Sequence, residues 1–371
     1  MLPSANTLRL IGLAVLVSVI SAACTASAGS VPVLVAPASS PNAGGKIAIL
    51  LPETKTARYE TQDLPHFKAR LQALGFNVQA DLIYSNANQD AAAQQAQAEA
   101  ALTNGARVLV LDPVDSDAAA SIADLAKAHG VPVIAYDRLV KGSDGVSYYI
   151  SFDNEQVGRL QGQSLLDALS GVSTPQIVMI NGSPTDNNAT QFKRGVHAVL
   201  DGQVVIAKEY DTPDWSPDKA QDEMAQALTA LGNKVDGVYA ANDGTAAGAI
   251  AAMKAAGVHP LPPVTGQDAE LAAIQRILIG EQYMTVYKAI RPEAEAAADL
   301  AYLLLSGQPA PDSMLNSVVH NGVIDVPSLV FTPVAVTKDK VKDTVIADGF
   351  WTVDQVCTDF YAQACADAGI R

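Results

Sequence analysis

An acid and a base stand side by side at Asp137 and Arg138, where the apolar run VPVIAY from Val131 to Tyr136 ends. Polar groups follow other apolar runs in the same way. Arg58 and Tyr59 come after KIAILLP, Asp186, Asn187 and Asn188 after QIVMI, and Trp215 after VVIAKEY. Asn242 and Asp243 follow GVYAA, Gln267 and Asp268 follow PPVTG, and Lys288 follows QYMTVY. Carboxylates, amides and guanidinium groups make paired hydrogen bonds to neighbouring hydroxyls, which both donate and accept. Aromatic faces cover the CH side of a pyranose ring, and a dry cleft of this kind discriminates strongly against a missing hydroxyl. The mixture therefore suits a polyol or sugar. Each residue also has a plainer reading. Asp and Asn at strand ends often cap the next helix; before GTAAGAIAAM, Asp243 is read as the cap and Asn242 as the ligand group. Asp137 and Arg138 read also as a structural ion pair, and Trp215 as packing beneath a loop.

Elements must hold these groups in place. From KIAILLP onward, strands alternate with Ala-rich helical stretches: HFKARLQALG is a helix, FNVQADLIYS a strand, DAAAQQAQAEAALTNG a helix, RVLVLDP a strand and SDAAASIADLAKAHG a helix. Continuous apolar strands in strict βα alternation mean a parallel sheet covered on both faces. The alternation restarts at GRLQGQSLLDAL. ADLAKAHGV and AAMKAAGV match at Lys127 and Lys254 and at Gly130 and Gly257, as a duplicated unit would. The fold class read from this is α/β, with two similar Rossmann-like lobes built on parallel sheets. In such open sheets ligands sit outside the carboxyl ends of the strands, which is where Asp137 and Arg138 stand.

Composition narrows the function. The chain has 371 residues, 49% of them hydrophobic, enough for two cores, and a formal charge of −15 argues against a nucleic-acid partner. The five His residues, His66, His129, His197, His259 and His320, have no metal-ligand spacing, and no phosphate-cradling Gly-rich loop occurs. No cofactor and no metal are therefore expected. LIGLAVLVSVI, after Arg9, is too short for a comfortable membrane span and reads as an export signal within residues 1–28. Two processing routes remain open: cleavage before Cys24 with lipid on its thiol, or cleavage after Ala28. Counting cysteines favours lipidation, since Cys357 and Cys365 sit together and leave Cys24 over. An exported chain can keep a disulfide, and a Cys357–Cys365 bridge requires a turn between them, because a straight helix would separate them by about 12 Å. Residues 29–45, rich in Pro, Ala, Ser and Gly, read as a tether.

Several strings together are specific. YDR at Tyr136 to Arg138, YISFDNEQVG from Tyr149, GSPTDNNA from Gly182, ANDGTAAGAI from Ala241, GQDAEL from Gly266, MTVYK from Met284 and KDTVIADGF from Lys342 resemble, in order and spacing, the D-xylose-binding proteins of bacterial sugar ABC importers. The resemblance implies the type I periplasmic-binding-protein fold, with hinge crossings near 151–154, 267–269 and 325–328. The lobes would be 46–150 with 270–324, and 151–269 with 325–371. It also implies sugar contacts from Arg58, Asp137, Arg138, Asp186, Asn188, Trp215, Asn242, Asp268 and Lys288. Tyr59 stands where that family has a tryptophan, a smaller ring that still stacks. The expected protein is an exported, monomeric receptor that captures a monosaccharide, D-xylose first, and delivers it to a membrane permease, touching the membrane only through an N-terminal lipid. D-glucose or another aldose, or a sensory role with a signalling partner, are the alternatives. A glycosidase using Asp137 and Asp268 is disfavoured by the cations beside them, which would keep both ionised. A sugar-responsive repressor would need a basic helix-turn-helix where this chain has its signal segment.

Overall fold

The computed structural model describes residues 44–371. The signal segment, Cys24 and the tether up to residue 43 lie outside the described residues. The six residues of β1 (Lys46–Leu51), five of them apolar, start a βα alternation: α1 (Leu64–Ala73), the single turn α2 (Val78–Asp81), β2 (Leu82–Asn86), α3 (Ala91–Thr103), β3 (Ala106–Leu111), α4 (Ala120–Ala128), β4 (Val133–Tyr136) and β5 (Val146–Phe152). FNVQADLIYS thus divides instead of forming one strand. Asn77 accepts a hydrogen bond from the Ala80 amide, and this side-chain cap starts a helical turn before β2 can begin.

The second alternation runs through α5 (Asn154–Ala168), β6 (Gln176–Asn181), α6 (Asn187–Leu200), β7 (Val205–Asp211), α7 (Pro217–Leu231), β8 (Gly237–Ala240), α8 (Asp243–Ala255), α9 (Leu271–Ile279) and β9 (Met284–Tyr287). After α10 (Ile290–Leu305) come β10 (Ser317–His320), β11 (Asp325–Phe331), β12 (Val334–Thr337) and the short helices α11 (Val353–Val356) and α12 (Ala362–Asp367). One sheet has the order β10-β11-β5-β4-β3-β1-β2 and is parallel except for the β10–β11 pair. A second, β7-β6-β8, is parallel throughout and gains Val264 as a parallel bridge to Val238, while β9 pairs antiparallel with β12. The chain is α/β with mostly parallel sheets, as the alternation implied. The internal repeat is visible too: Lys127 and Lys254 lie in the last turns of α4 and α8, followed by Gly130 and Gly257 at φ +67° and +73°.

The chain passes between the two sheet systems at 152–154, 287–290 and 331–334. The expected crossings were near 151–154, 267–269 and 325–328; the last two of these links lie further along the chain. α9 and β9, which the resemblance would put in the first lobe, pack with the second. Met284 and Val286 pack among Val157, Leu165 and Ile177, and β9 is tied to its neighbours by Tyr283 N–H donating to Val264 O and Asp268 N–H to Val286 O. Conversely β11, placed in the second lobe, pairs with β5 from Ser328 to Phe331. α10 packs its Ala-rich face against α1 and β3 in the first lobe.

Helices α5 and α6 approach closely enough to need glycine on both sides. A Cβ on Gly158 would lie 2.0 Å from Phe192 O, and one on Gly195 2.1 Å from Glu155 O. This contact fixes how far α6 projects Asn188 and Phe192 toward the first lobe. At the C-terminus, Cys357 and Cys365 form a disulfide across the turn between α11 and α12, with Cys365 packed beside Val356 and Ile370. Among the described residues no helix is long and apolar enough to cross a membrane.

Candidate functional site

The strand ends meet. Arg58, Tyr59, Asp137 and Arg138 from the first lobe, and Asp186, Asn188, Trp215, Asn242, Asp268 and Lys288 from the second lobe and its link, all line one cavity. Arg58, Asp137, Lys288 and Asp268 are each only 3% exposed, so the cavity is shut and a ligand can reach it only if the lobes part. Cross-lobe hydrogen bonds close its rim: Ser116 N–H to Thr185 O at 3.0 Å, Asn187 N–H to Ser116 Oγ at 3.1 Å, and Gln89 Nε2 to Asp214 O at 3.1 Å.

Asp137 and Arg138 turn in different directions, because Asp137 takes a left-handed conformation at φ +53°. Its carboxylate faces Arg58 Nη1 at 3.3 Å and Lys288 Nζ at 3.7 Å and accepts from the Tyr59 hydroxyl at 3.0 Å. Its carbonyl accepts from Ser151 Oγ at 2.6 Å and, across the lobes, from Asn188 Nδ2 at 3.0 Å. Burial by itself would push the Asp137 carboxyl up, but Arg58, then Lys288 and Arg138, hold it well below the usual carboxylate range. Arg58 is fixed from behind by Asp63, with Nε 2.9 Å from Oδ2 and Nη2 2.6 Å from Oδ1, and by Glu293 of α10 at 2.8 Å. Arg138 runs the other way, its Nε 2.9 Å from Asp186 Oδ2. The ring centroid of Tyr59 is 5.3 Å from the guanidinium carbon of Arg58 and 5.6 Å from that of Arg138.

On the other wall, Asp186 caps α6 by accepting the Asn188 amide and also accepts Trp215 Nε1 at 3.0 Å, so one carboxylate orients a helix, an indole and Arg138. Trp215 and Asp268 join Asp137 in adopting positive φ, at +53° and +92°. Such conformations cost roughly 1–3 kcal/mol each and persist where the surroundings over-determine them. Lys288 lies 3.2 Å from Asp268 Oδ1.

The cap expected at Asp243 falls to Asn242. Asn242 Oδ1 accepts the Thr245 amide at 2.9 Å in a reciprocal capping box, while its side chain still lines the cavity. Asp243 is fully buried away from the cavity and accepts from Gln282 Nε2 at 2.7 Å, Thr285 Oγ1 at 3.0 Å and the Glu270 amide at 2.9 Å. The cap falls to Asn242 because its backbone is extended, at φ −143°, and so stands one residue before the helix.

Three cavity residues were outside the candidate set: Thr56, Phe192 and Gln267. Phe192 stands one helical turn after Asn188 on α6 and packs edge-on to Trp215, with ring centroids 6.3 Å apart; the i, i+4 spacing was the available signal. Gln267 is the strand-end neighbour of Asp268. Buried acceptors converge here without a donor: Asn188 Oδ1 and Gln267 Oε1 have no hydrogen-bond partner, and Asp268 Oδ1 has only its ion pairs. Buried polar atoms of this kind are normally satisfied. With Arg58 and Lys288 as donors and the rings of Tyr59, Phe192 and Trp215 as faces, the cavity can bind a small polyhydroxylated molecule. Among the described residues no group of three or more His, Cys, Asp or Glu is placed to hold a metal.

Comparison with known proteins agrees with this geometry. The family model described as a periplasmic binding protein domain matches residues 47–309. The D-xylose-binding periplasmic protein of Escherichia coli (strain K12) is 39% identical over 311 residues, 82% of this chain and 90% of that one. The multiple sugar-binding periplasmic receptor ChvE of Rhizobium radiobacter is 34% identical over 359 residues, 91% of this chain and 99% of that one. Among solved structures, an ABC transporter solute binding protein from Clostridium phytofermentans with bound β-D-glucose superposes with a TM-score of 0.77 at 30% identity, covering 84% of this chain and 99% of that one.

Proposed function

The chain belongs to the periplasmic binding protein domain family, and from that premise we propose that it is an exported receptor that captures one monosaccharide, D-xylose, between its lobes and presents the closed form to the permease of an ABC importer. The observation that carries the reading is the shut cavity in which Asn188, Gln267 and Asp268 offer acceptors lacking a hydrogen-bond donor. Sugar hydroxyls donate to these oxygens and accept from Arg58 and Lys288, while Tyr59, Phe192 and Trp215 cover the ring. Asp137, Arg138, Asp186 and Asn242 complete the proposed contacts. Because the groups come from both lobes, bound sugar favours closure by its differential affinity for the closed form. D-Xylose is placed first on the name of the 39% identical relative. D-Glucose stands second, since the neighbour at TM-score 0.77 holds it.

A hydrolytic role with Asp137 as the acid finds no support. A general acid needs a raised pKa, and the cations around Asp137 lower its own. The chain is proposed to act as a monomer, held at the membrane by lipid on Cys24; mass spectrometry of the mature N-terminus tests the anchor. The binding test is isothermal titration against D-xylose, D-glucose, D-ribose and L-arabinose, with Asp137→Ala as control. Tight one-to-one binding of xylose that disappears in the variant is the expected result. Binding to none of the four overturns the reading.

A further inference from the structure

Arg138 sits among three carboxylates but bonds closely to one. Its Nε is 2.9 Å from Asp186 of the second lobe, whereas Asp112 Oδ1 lies 3.7 Å from Nε and Glu53 Oε1 3.7 Å from Nη2, both on the first lobe that carries Arg138 itself. The longer distances exceed a normal N–H···O bond. Neither oxygen of Asp112 and not Glu53 Oε1 receives a hydrogen bond, although both side chains are 0% exposed. Glu53 spends its other oxygen on the Thr56 amide at 2.9 Å and on the Lys55 amide. Leaving buried carboxylate oxygens unmatched is unfavourable, and none of these atoms lines the sugar cavity. A purely structural pairing would have drawn Arg138 closer to Asp112 and Glu53 than to a residue across the cleft.

We propose that Asp112 and Glu53 are the partners of Arg138 in the open receptor, and that the exchange of these carboxylates for Asp186 sets the balance between open and closed forms. When the lobes part, Asp186 leaves with the second lobe. A shift of under 1 Å then brings the guanidinium within bonding distance of Asp112 and Glu53. On closure Asp186 takes Arg138 back and the two first-lobe carboxylates lose their close contact. They act as positioning residues: they touch no sugar and oppose closure by stabilising the open form. Burial pushes the Asp112 carboxyl well up while Arg138 opposes this, as expected of an acid whose counter-ion has moved away.

The inference rests on the lobe-closure reading, and its test separates the two. Asp112→Asn keeps the shape and removes the charge that holds Arg138 in the open form. Since apparent affinity scales with the competent fraction, xylose should bind about tenfold tighter with slower release, a gain that a residue serving stability alone would not give. Asp186→Asn should weaken binding. Unchanged or weaker xylose affinity in folded Asp112→Asn overturns the proposal; should that variant fail to fold, Glu53→Gln is the second reading, with tighter binding expected and unchanged or weaker binding refuting it. If the wild type binds no sugar, the functional reading fails, and small-angle scattering of the ligand-free proteins then decides the switch. A smaller radius of gyration for Asp112→Asn than for wild type supports it, and an identical radius refutes it.

Discussion

Adding one methyl group at Gly182, a residue outside the cavity lining, should impair sugar binding. Gly182 follows β6, and a Cβ placed there would lie 2.0 Å from Cη2 of Trp215 and 2.4 Å from Cζ2 and Cζ3. Carbon atoms rest about 3.5–4.0 Å apart, so the indole must retreat by roughly 1.5 Å. Its retreat is obstructed: Nε1 is bonded to Asp186 at 3.0 Å and the ring edge packs on Phe192. The methyl group therefore breaks the indole hydrogen bond and tilts the ring out of the cavity wall. Overpacking of this kind costs about 1–3 kcal/mol of stability. Losing the aromatic face against a bound ring adds about 2 kcal/mol to the binding free energy, roughly 30-fold in Kd. The assay is isothermal titration of Gly182→Ala beside Trp215→Ala, with thermal melts to establish that both are folded. Wild-type affinity in a folded Gly182→Ala would refute the placement of Trp215 against the sugar.

Three further outcomes are expected. Asp137→Asn should remain folded, because Arg58 keeps Asp63 and Glu293 and Lys288 keeps Asp268; losing one or two charge-assisted bonds worth about 1.5–3 kcal/mol each should weaken sugar binding by about 10²-fold or more, read by titration. Burial pushes Asp243 up to about 7 and Glu270 up to about 8, with the Asp243 charge adding to the latter. The folded chain thus holds protons that the unfolded chain, with carboxyls near 4, has released, so this pair makes stability fall as pH rises from about 4 to 8. Melting curves across that window should show a shallower decline in Glu270→Gln than in wild type; an identical slope would reject the pair as its source. Replacing both Cys357 and Cys365 by Ser opens a bridge spanning a sequence separation of 8, which should lower stability by about 2–3 kcal/mol in denaturant titrations and leave sugar affinity unchanged.

The sequence made the strand ends legible because parallel strands deliver their carboxyl ends to one side, so a rule of topology replaced knowledge of contacts. Ten candidates converge on the cavity for that reason. Phe192 escaped because it lies inside a helix, where an apolar residue reads as core. It is core, touching Trp215, and also cavity wall. That Asn242 both caps α8 and lines the cavity, leaving Asp243 with neither role, turned on one backbone angle, invisible in a dipeptide where both residues are good caps. The two later lobe crossings rested on the resemblance, and neither β9 nor β11 shows in its own residues which sheet it joins. Their assignment depends on long-range partners, Val157 and Leu165 for β9 and the edge of β5 for β11.

The density of charge around the cavity bears on the kind of ligand it can hold. Arg58 is matched by Asp63 and Glu293 before it reaches Asp137, Lys288 by Asp268, and Arg138 by Asp186 with Asp112 and Glu53 nearby. None of these three cations has charge to spare. A phosphate or carboxylate ligand would face ionised Asp137 in a shut, dry space, and like charges brought together there cost several kcal/mol. A cationic ligand would meet Arg58 and Lys288 at the same short range. An uncharged polyol escapes both penalties, and only it brings hydroxyl donors to Asn188, Gln267 and Asp268 without disturbing the ion pairs behind them. Balanced charge in the wall therefore disfavours ions of either sign, and it leaves hydroxyl number and orientation as the quantities the site can read.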